Sequence, residues 1–312
     1  MKKILVTGAG GYIGSMLCDQ LVKLGYEVFA IDKMKYVQNS LSHLFFFKNF
    51  TFVNKDITNS LVLKKNLRNK DFIIPLAALV GAPLCEKNKK EATKVNFVQI
   101  KNILKLMKSN QKIIYLNSNS GYGVGKKNKF CDEISALNPI SHYGKTKVQA
   151  EKLVMQRKEK NFVCFRLATV FGYSFRMRTD LIANFFVKES VTKNKITIFE
   201  PHFRRNFIHV RDVVSAIIFS IQNFKKVNGE VFNLGLSSAN ITKLQLAKKV
   251  KKVNKKTKIK VIHGIKDPDQ RDYFVSNKKI EKKGFKAKNS LDMGIREVYE
   301  CLKLNADFKN NY

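Results

Sequence analysis

Short β-rich runs alternate with amphipathic helical segments, a glycine-rich turn joins the first run to the first helix, and an acidic residue closes the second run. These observations predict an α/β fold: a Rossmann-type doubly wound parallel sheet with a smaller, interleaved C-terminal α/β substrate domain. Candidate strands are Lys3–Thr7, Glu27–Ile31, Thr51–Asn54, Phe72–Pro75, Lys112–Asn117 and Phe162–Leu167. Between them lie the helical segments Tyr12–Leu24, Leu61–Arg68, Glu91–Lys108 and His142–Glu159. Right-handed crossovers between parallel strands bring the strand C-termini to one crevice. After Gly172 the pattern changes. Residues 173–204 are rich in Arg, Phe and Lys around a helical run at Asp180–Ser190. Glu230–Asn233 reads as a strand returning to the sheet, and 238–312 as a small α/β remainder ending in a helix at Leu291–Leu302. The predicted organisation is a dinucleotide-binding unit of 1–172, joined by about 206–236, and a substrate-binding unit of 173–205 and 237–312.

At 312 residues and 44% hydrophobic content the chain can bury a large core. No apolar run approaches the roughly 20 residues of a membrane-spanning helix. Met1-Lys2-Lys3 leads at once into a strand, so a cytoplasmic protein with no membrane attachment is expected. Cys18, Cys85, Cys131, Cys164 and Cys301 are scattered without a C-x-x-C spacing, which argues against a zinc site or a disulfide framework. No metal is expected. The net charge of +35 is the one bulk feature that points to a polyanion partner. Yet only ten of the 59 basic residues are arginine, the residue that reads bases and phosphates by bidentate geometry. The lysines are spread along polar helix faces, and the densest run, Lys248–Lys256, keeps apolar periodicity. A solvated surface is therefore expected rather than a nucleic-acid site. Such a positive field would still attract an anionic nucleotide substrate.

The turn Thr7-Gly8-Ala9-Gly10-Gly11-Tyr12-Ile13-Gly14 follows a strand and opens a helix. Gly8 permits the tight turn, Gly11 lets the backbone approach a pyrophosphate, and Gly14 allows close helix–strand packing. The free N–H groups of the helix start attract phosphates. Asp32 stands 18 residues past Gly14, at the end of the second strand. A carboxylate there accepts hydrogen bonds from the adenosine ribose and repels a 2′-phosphate, which favours NAD over NADP. Lys33 and Lys35 nearby argue the other way. Asp56-Ile57 after the third strand can contact adenine, and Leu76-Ala77-Ala78 after the fourth lets the cofactor lie close to the backbone. Asn96 is a further groove candidate, and equally a packing or capping residue.

Tyr143 and Lys147, at i and i+4, share one helix face. Phenol is a poor base at its ordinary pKa near 10. An adjacent ammonium and a nicotinamide cation are expected to lower that value. Tyr143 can then take a proton from a substrate hydroxyl as its carbon gives hydride to NAD⁺. Lys147 can hold the nicotinamide ribose, and Ser118, beyond the fifth strand, can bond the same substrate oxygen.

With Arg166–Gly172, Arg205–Asp212 and Asp267–Tyr273 added, these motifs resemble the extended short-chain dehydrogenase/reductases, the NAD-dependent epimerase/dehydratase family acting on nucleotide sugars. The resemblance covers nearly the whole chain. It implies an N-terminal domain that binds NAD through the glycine turn, with Tyr12 and Ile13 included. It also implies a C-terminal domain that binds the nucleotide sugar, and chemistry that begins by oxidising sugar C4. The family's 4,6-dehydratases carry one or two acids directly after the serine, whereas this chain has Asn119 and Ser120. Neither is a base at neutral pH. The parts for C4 redox are thus present and those for C5 proton chemistry are not. Either a 4-dehydrogenase or a 4-epimerase is expected. Pro75–Cys85, Asn119–Gly125, Phe165–Gly172, His202–Val214, Leu234–Thr242 and Asp267–Asn277 are similar to the group of GDP-manno-heptose 4-dehydrogenases of bacterial surface-polysaccharide pathways.

By the same resemblance, Arg205 and Arg271 grip the substrate diphosphate, with Arg176 and Arg178 as further candidates and Ser118, Asn119 and Ser120 beside the sugar. The chain departs from the family pattern at Thr169 and Asp180, where many members have Asn. A carboxylate at 180 near phosphate needs an arginine partner, and Arg178 is the obvious one. His202, His209 and Phe199 are expected to shape or pack the pocket. The resemblance also implies a homodimer, as in many family members, through Glu91–Lys108 and His142–Glu159; the alternative is that their apolar faces pack on the sheet.

Overall fold

The computed structural model describes residues 1–36, 39–125, 129–264 and 271–305. The stretch 267–270, singled out in the sequence, lies outside them. Its strands are β1 (Lys3–Thr7), β2 (Glu27–Asp32), β3 (Phe50–Asn54), β4 (Phe72–Pro75), β5 (Lys112–Ser118), β6 (Phe130–Cys131), β7 (Phe162–Leu167), β8 (Thr169–Phe171), β9 (Lys195–Phe199), β10 (Arg204–His209), β11 (Glu230–Leu234), β12 (Asn240–Thr242), β13 (Lys258–Ile262) and β14 (Phe274–Val275). The helices are α1 (Tyr12–Lys23), α2 (Ser60–Leu67), α3 (Ala82–Lys87), α4 (Lys89–Thr93), α5 (Gln99–Leu106), α6 (His142–Met155), α7 (Ile182–Lys193), α8 (Val210–Gln222), α9 (Phe224–Val227), α10 (Lys243–Val253), α11 (Lys278–Lys282) and α12 (Leu291–Leu304).

Seven strands form one parallel sheet in the order β11-β7-β5-β4-β1-β2-β3. This is the Rossmann-type α/β fold that the alternating pattern predicts. A parallel sheet covered on both faces needs strands apolar on both faces, and β4 and β7 are buried at every position. The pleat divides their side chains between two cores. Ile4, Val6, Phe72, Ile74, Val163 and Phe165 point into one, with α1, α8 and the second half of the chain. Leu5, Ile73, Ile113, Tyr115 and Cys164 point into the other, with residues of α2, α5 and α6. Strand order reverses between β1 and β4, and the crevice at this switch point is where open α/β sheets bind ligands.

The remaining strands make small sheets. β10 pairs with β8 in parallel and with β12 in antiparallel fashion, and β13 pairs with β9. The expected Glu91–Lys108 helix is interrupted: α4 runs into a π-helical stretch, Lys94–Val98, before α5 begins. Helix α7 starts at Ile182 rather than Asp180, whose carboxylate turns back to Arg178. The Lys248–Lys256 run begins on α10, with Lys248, Lys251 and Lys252 exposed while Leu246, Ala247 and Val250 are buried. Lys249 pairs with Asp292 at 2.8 Å. The dense positive charge on this helix is thus a solvated face. Among the described residues no helix is long and apolar enough to cross a membrane.

Candidate functional site

The C-terminal ends of the central strands open into one cavity of about 600 Å³. Its floor at one end is the glycine turn. Gly8 has φ +68°, and a Cβ there would stand 2.5 Å from the Ala77 nitrogen. A Cβ at Gly14 would stand 2.2 Å from the Gly8 carbonyl oxygen. Such contacts are backbone against backbone and have no room to relax, so this turn accepts glycine alone. The turn is tied to the sheet by the Gly8 N–H, which donates to the Ile31 carbonyl at 2.8 Å. Helix α1 then starts from Gly11 without a side-chain cap, leaving first-turn N–H groups for a ligand.

Asp32 borders this turn. Its Oδ2 accepts the Gly10 N–H at 3.0 Å and its Oδ1 the Met34 N–H at 2.8 Å. Burial raises the pKa of Asp32, and these two bonds oppose it. A carboxylate has about four acceptor positions, so capacity for ribose hydroxyls remains. Lys33 pairs with Asp56 at 3.3 Å and with Glu91 at 3.6 Å, and Lys35 with Glu91 at 3.4 Å. Both lysines are thereby occupied, which removes the argument from them for a 2′-phosphate. Burial works to raise the Asp56 carboxyl, but the Thr58 hydrogen bonds and Lys33 outweigh it and hold it below the usual value. Ile57, Leu76, Ala77 and Ala78 line the same end of the cavity, as do Tyr12 and Ile13. The Tyr12 hydroxyl is already engaged: it donates to the Gly172 carbonyl at 2.6 Å and accepts from Asn184 at 3.3 Å.

Asn96 does not line the cavity, against the sequence expectation. It is 1% exposed and clamps a loop. Its Oδ1 accepts the Leu79 N–H at 2.8 Å and its Nδ2 donates to the Leu79 carbonyl at 2.9 Å. The π-helical stretch aims this side chain at the β4–α3 connection, a use of such bulges that helical periodicity does not announce.

Tyr143, Lys147 and Ser118 converge at the middle of the cavity. Ser141 caps α6 by accepting the Gly144 N–H at 3.1 Å, which starts the helix just ahead of Tyr143. Ser118 Oγ accepts the Ser120 N–H at 3.2 Å. Burial dominates both titrating groups. It pushes Tyr143 up to about 12, opposed by Arg271, Arg178 and the neighbouring Ser118 hydroxyl. It pushes Lys147, 6% exposed, down to about 7, opposed by Cys164, Glu151 and Cys85. The expected lowering of the phenol by Lys147 is therefore not found in the protein alone. Burial disfavours the charged form of each group, the ammonium and the phenolate alike, and for both it is the largest cause.

Behind Ser118 lies a buried network. Arg166 and Glu151, 5% and 1% exposed, pair at 2.7 Å. Asn117 donates to Glu151 at 2.6 Å and accepts the Ser118 N–H at 2.7 Å. Ser118 is thus fixed through its backbone as well as its hydroxyl. Of the next two residues, Ser120 lines the cavity, with a buried Oγ that has no hydrogen-bond partner among the described residues. Asn119 is buried beside it, outside the lining, so the structure separates it from the expected sugar contacts.

At the far end Arg178, Arg205 and Arg271 line the cavity together with Thr169, Asp180 and Phe199. Arg178 Nε donates to Asp180 at 3.1 Å, the pairing the sequence required. Arg205 projects from β10. Arg176 lies elsewhere, over the Tyr36 ring at 4.8 Å, on the side of Asp32. His209 is not in the lining; it is buried, bonded to Glu297 at 2.8 Å. His202 is exposed and meets the Phe203 ring edge-on. Phe185, Phe186, Thr197, Ile198 and Lys243 complete this end without having been foreseen. Lys243 is one lysine in an abundance of them, and only the path of β10 and α10 brings it here.

A family model described as NAD dependent epimerase/dehydratase family matches residues 4–235. The chain is 30% identical over 251 residues to the uncharacterised UDP-glucose epimerase YtcB of Bacillus subtilis, covering 75% of this chain and 76% of that one. It is 27% identical to the UDP-glucose 4-epimerase of Lactobacillus helveticus, over 80% and 81% of the two chains. Among solved structures, the UDP-glucuronic acid 4-epimerase of Bacillus cereus, in complex with UDP-glucuronic acid and NAD, superposes with a TM-score of 0.85. It is 26% identical, with 97% of this chain and 99% of that one covered.

Proposed function

Because the chain belongs to the NAD dependent epimerase/dehydratase family, we propose that it oxidises a nucleotide-diphosphate sugar at C4 and performs no proton chemistry at C5. One observation carries this reading. Among the described residues, the carboxylates that line the cavity are Asp32, Asp56, Glu91 and Asp180. The first three stand at the glycine-turn end, and Asp180 is held by Arg178. Beside Ser118, where a 4,6-dehydratase needs an acid, stand Asn119 and Ser120.

The groove suits a dinucleotide because a Cβ would fill it at Gly8 and Gly14, and because α1 starts uncapped. Asp32 would hold the adenosine ribose and Lys147 the nicotinamide ribose. When bound, NAD⁺ supplies the acceptor for the C4 hydride. Tyr143 takes the proton of the C4 hydroxyl. Ser118, beside Tyr143 in the cavity lining, orients the same oxygen. Arg178, Arg205 and Arg271 bind the diphosphate, for which guanidinium forks are suited. Arg178 and Arg271 both favour the ionised phenol, so the residues that seat the substrate also assist the base.

The sugar we assign is a GDP-linked heptose in surface-polysaccharide synthesis, on the strength of the Pro75–Cys85, Phe165–Gly172 and His202–Val214 stretches. The second reading, a UDP-glucose 4-epimerase, is favoured by the likeness to YtcB and to the Lactobacillus helveticus enzyme. Incubation with NAD⁺ and GDP-manno-heptose, UDP-glucose or GDP-mannose, followed by mass spectrometry and NMR, distinguishes them. Loss of two hydrogens with matching NADH identifies a 4-dehydrogenase. Inversion at C4 with unchanged mass identifies a 4-epimerase. Loss of water would sink the reading, since it requires an acid that Asn119 and Ser120 do not provide.

A further inference from the structure

Arg176 stands on the wall of the cavity that faces the glycine turn, in the segment between β8 and α7. It is 2% exposed. Its Nη1 donates to the Met177 carbonyl at 3.3 Å. Its Nη2 is buried and has no hydrogen-bond partner among the described residues. The two carboxylates whose fields reach it are engaged elsewhere: Asp180 with Arg178, Asp32 with the Gly10 and Met34 N–H groups. A buried guanidinium donor left unpaired is costly. Among native proteins such a group marks a place where a ligand belongs.

The path of the chain says which ligand. Two residues earlier, Ser174 Oγ donates to the Tyr12 carbonyl at 2.6 Å and lies 3.2 Å from Ser15 Oγ. The segment is thereby pinned to the first turn of α1, the uncapped helix start. Arg176 and those first-turn N–H groups thus border one volume from two sides, between Gly10, Asp32 and Tyr36. Donors from both walls of one volume suit an anion with oxygens on both faces.

We propose that Arg176 grips the diphosphate of the bound dinucleotide, closing over it from the wall opposite the glycine turn. The assignment rests on the NAD dependence established above and deepens it, and it moves Arg176 away from the sugar diphosphate, where the sequence placed it. The shared chemistry is a phosphate, and a 2′-phosphate is the other source of one. Asp32 opposes that source, because its carboxylate stands on the ribose side of the same volume.

The test is equilibrium titration of the full chain and of Arg176→Met with NADH, ADP, adenosine and adenosine 2′,5′-bisphosphate. Loss of a charge-assisted hydrogen bond is expected to weaken NADH and ADP by roughly tenfold to a hundredfold. Adenosine is expected to bind both proteins alike. Arg176→Gln, which keeps planar donors without the charge, is expected to show the same ADP-selective loss if Arg176→Met fails to fold. Unchanged ADP binding in a folded variant overturns the proposal. Equal losses for ADP and adenosine overturn it too, since they mean that Arg176 only shapes the groove. A loss confined to the 2′,5′-bisphosphate overturns it in favour of the other phosphate. Wild-type protein that binds neither NADH nor ADP overturns the cofactor reading and this one together.

Discussion

At the glycine-turn end of the cavity the chain presents backbone; at the far end it presents long side chains. The first is built from one continuous stretch, Gly8–Gly14, with Asp32 and Ala77 brought up by adjacent strands. The second is assembled from Arg178, Arg205, Lys243 and Arg271, which belong to separate segments after Gly172. A backbone site tolerates almost no change at its glycines, because a Cβ has nowhere to go. A side-chain site tolerates change one contact at a time. The first end is thus the half whose backbone packing restricts its own sequence most, and on the function proposed above the second end is the one that meets the sugar nucleotide.

Substitutions at each end, and at the residues between them, can break this contrast. The largest effect belongs to Tyr143→Phe, at the junction. It removes the proton acceptor and is expected to lower kcat by roughly a hundredfold to ten-thousandfold. NADH affinity and melting temperature should stay near wild type; a fall in either would make Tyr143 a structural residue of both ends. Arg205→Met comes next. Losing one charged contact to the diphosphate should raise KM for the nucleotide sugar roughly tenfold to a hundredfold. If NADH binding weakened equally, the two ends would not be separable. Gly14→Ala forces a Cβ against the Gly8 and Ala9 carbonyls. A cost of about 1–3 kcal/mol is expected, seen as a lower melting temperature together with weaker NADH binding. A variant that melts and binds like wild type would show that the backbone end yields after all.

The smallest effect is one of pH. Burial depresses Lys147 from 10.5 to about 7 in the folded protein. Between those values the unfolded chain binds more protons than the folded one, so the folded state gains stability as pH rises through the window. Below about 7 the full penalty of a buried ammonium is present. Lys147→Met should therefore raise the melting temperature most near neutral pH, and its advantage should shrink toward pH 10. An advantage independent of pH would mean that Lys147 is not held as a depressed amine.

The centre of the sheet was legible because β1, β4 and β7 are buried apolar runs with a turn after them. Lys3–Thr7, Phe72–Pro75 and Phe162–Leu167 end where the chain predicts. The glycine turn and the Tyr143–Lys147 pair were legible because their roles depend on spacing along one element. Of the two roles open to Asn96, the structure shows the packing one, in a π-helical stretch that helical periodicity does not announce. Arg176, only a further candidate from the resemblance, stands over the Tyr36 ring, and its place follows from the crossing to α1, which a local reading does not show. The short strands β8, β9, β12 and β13 hold together by pairing over long sequence distances. At three residues β8 and β12 are too short for a pattern, while β9 and β13 alternate polar and apolar over only five.

The buried contacts that join Tyr12, Ser15 and Asn184 to the Gly172–Ser174 segment also carry a consequence for timing. If release of the dinucleotide needs that segment to open, these bonds resist it. A cycle that requires fresh dinucleotide at every round would then be paced by the opening. A cycle that finishes with its dinucleotide restored runs without it. Comparing the exchange rate of bound NADH with the turnover rate thus reports whether the chain handles its cofactor as a visitor or as a permanent fixture.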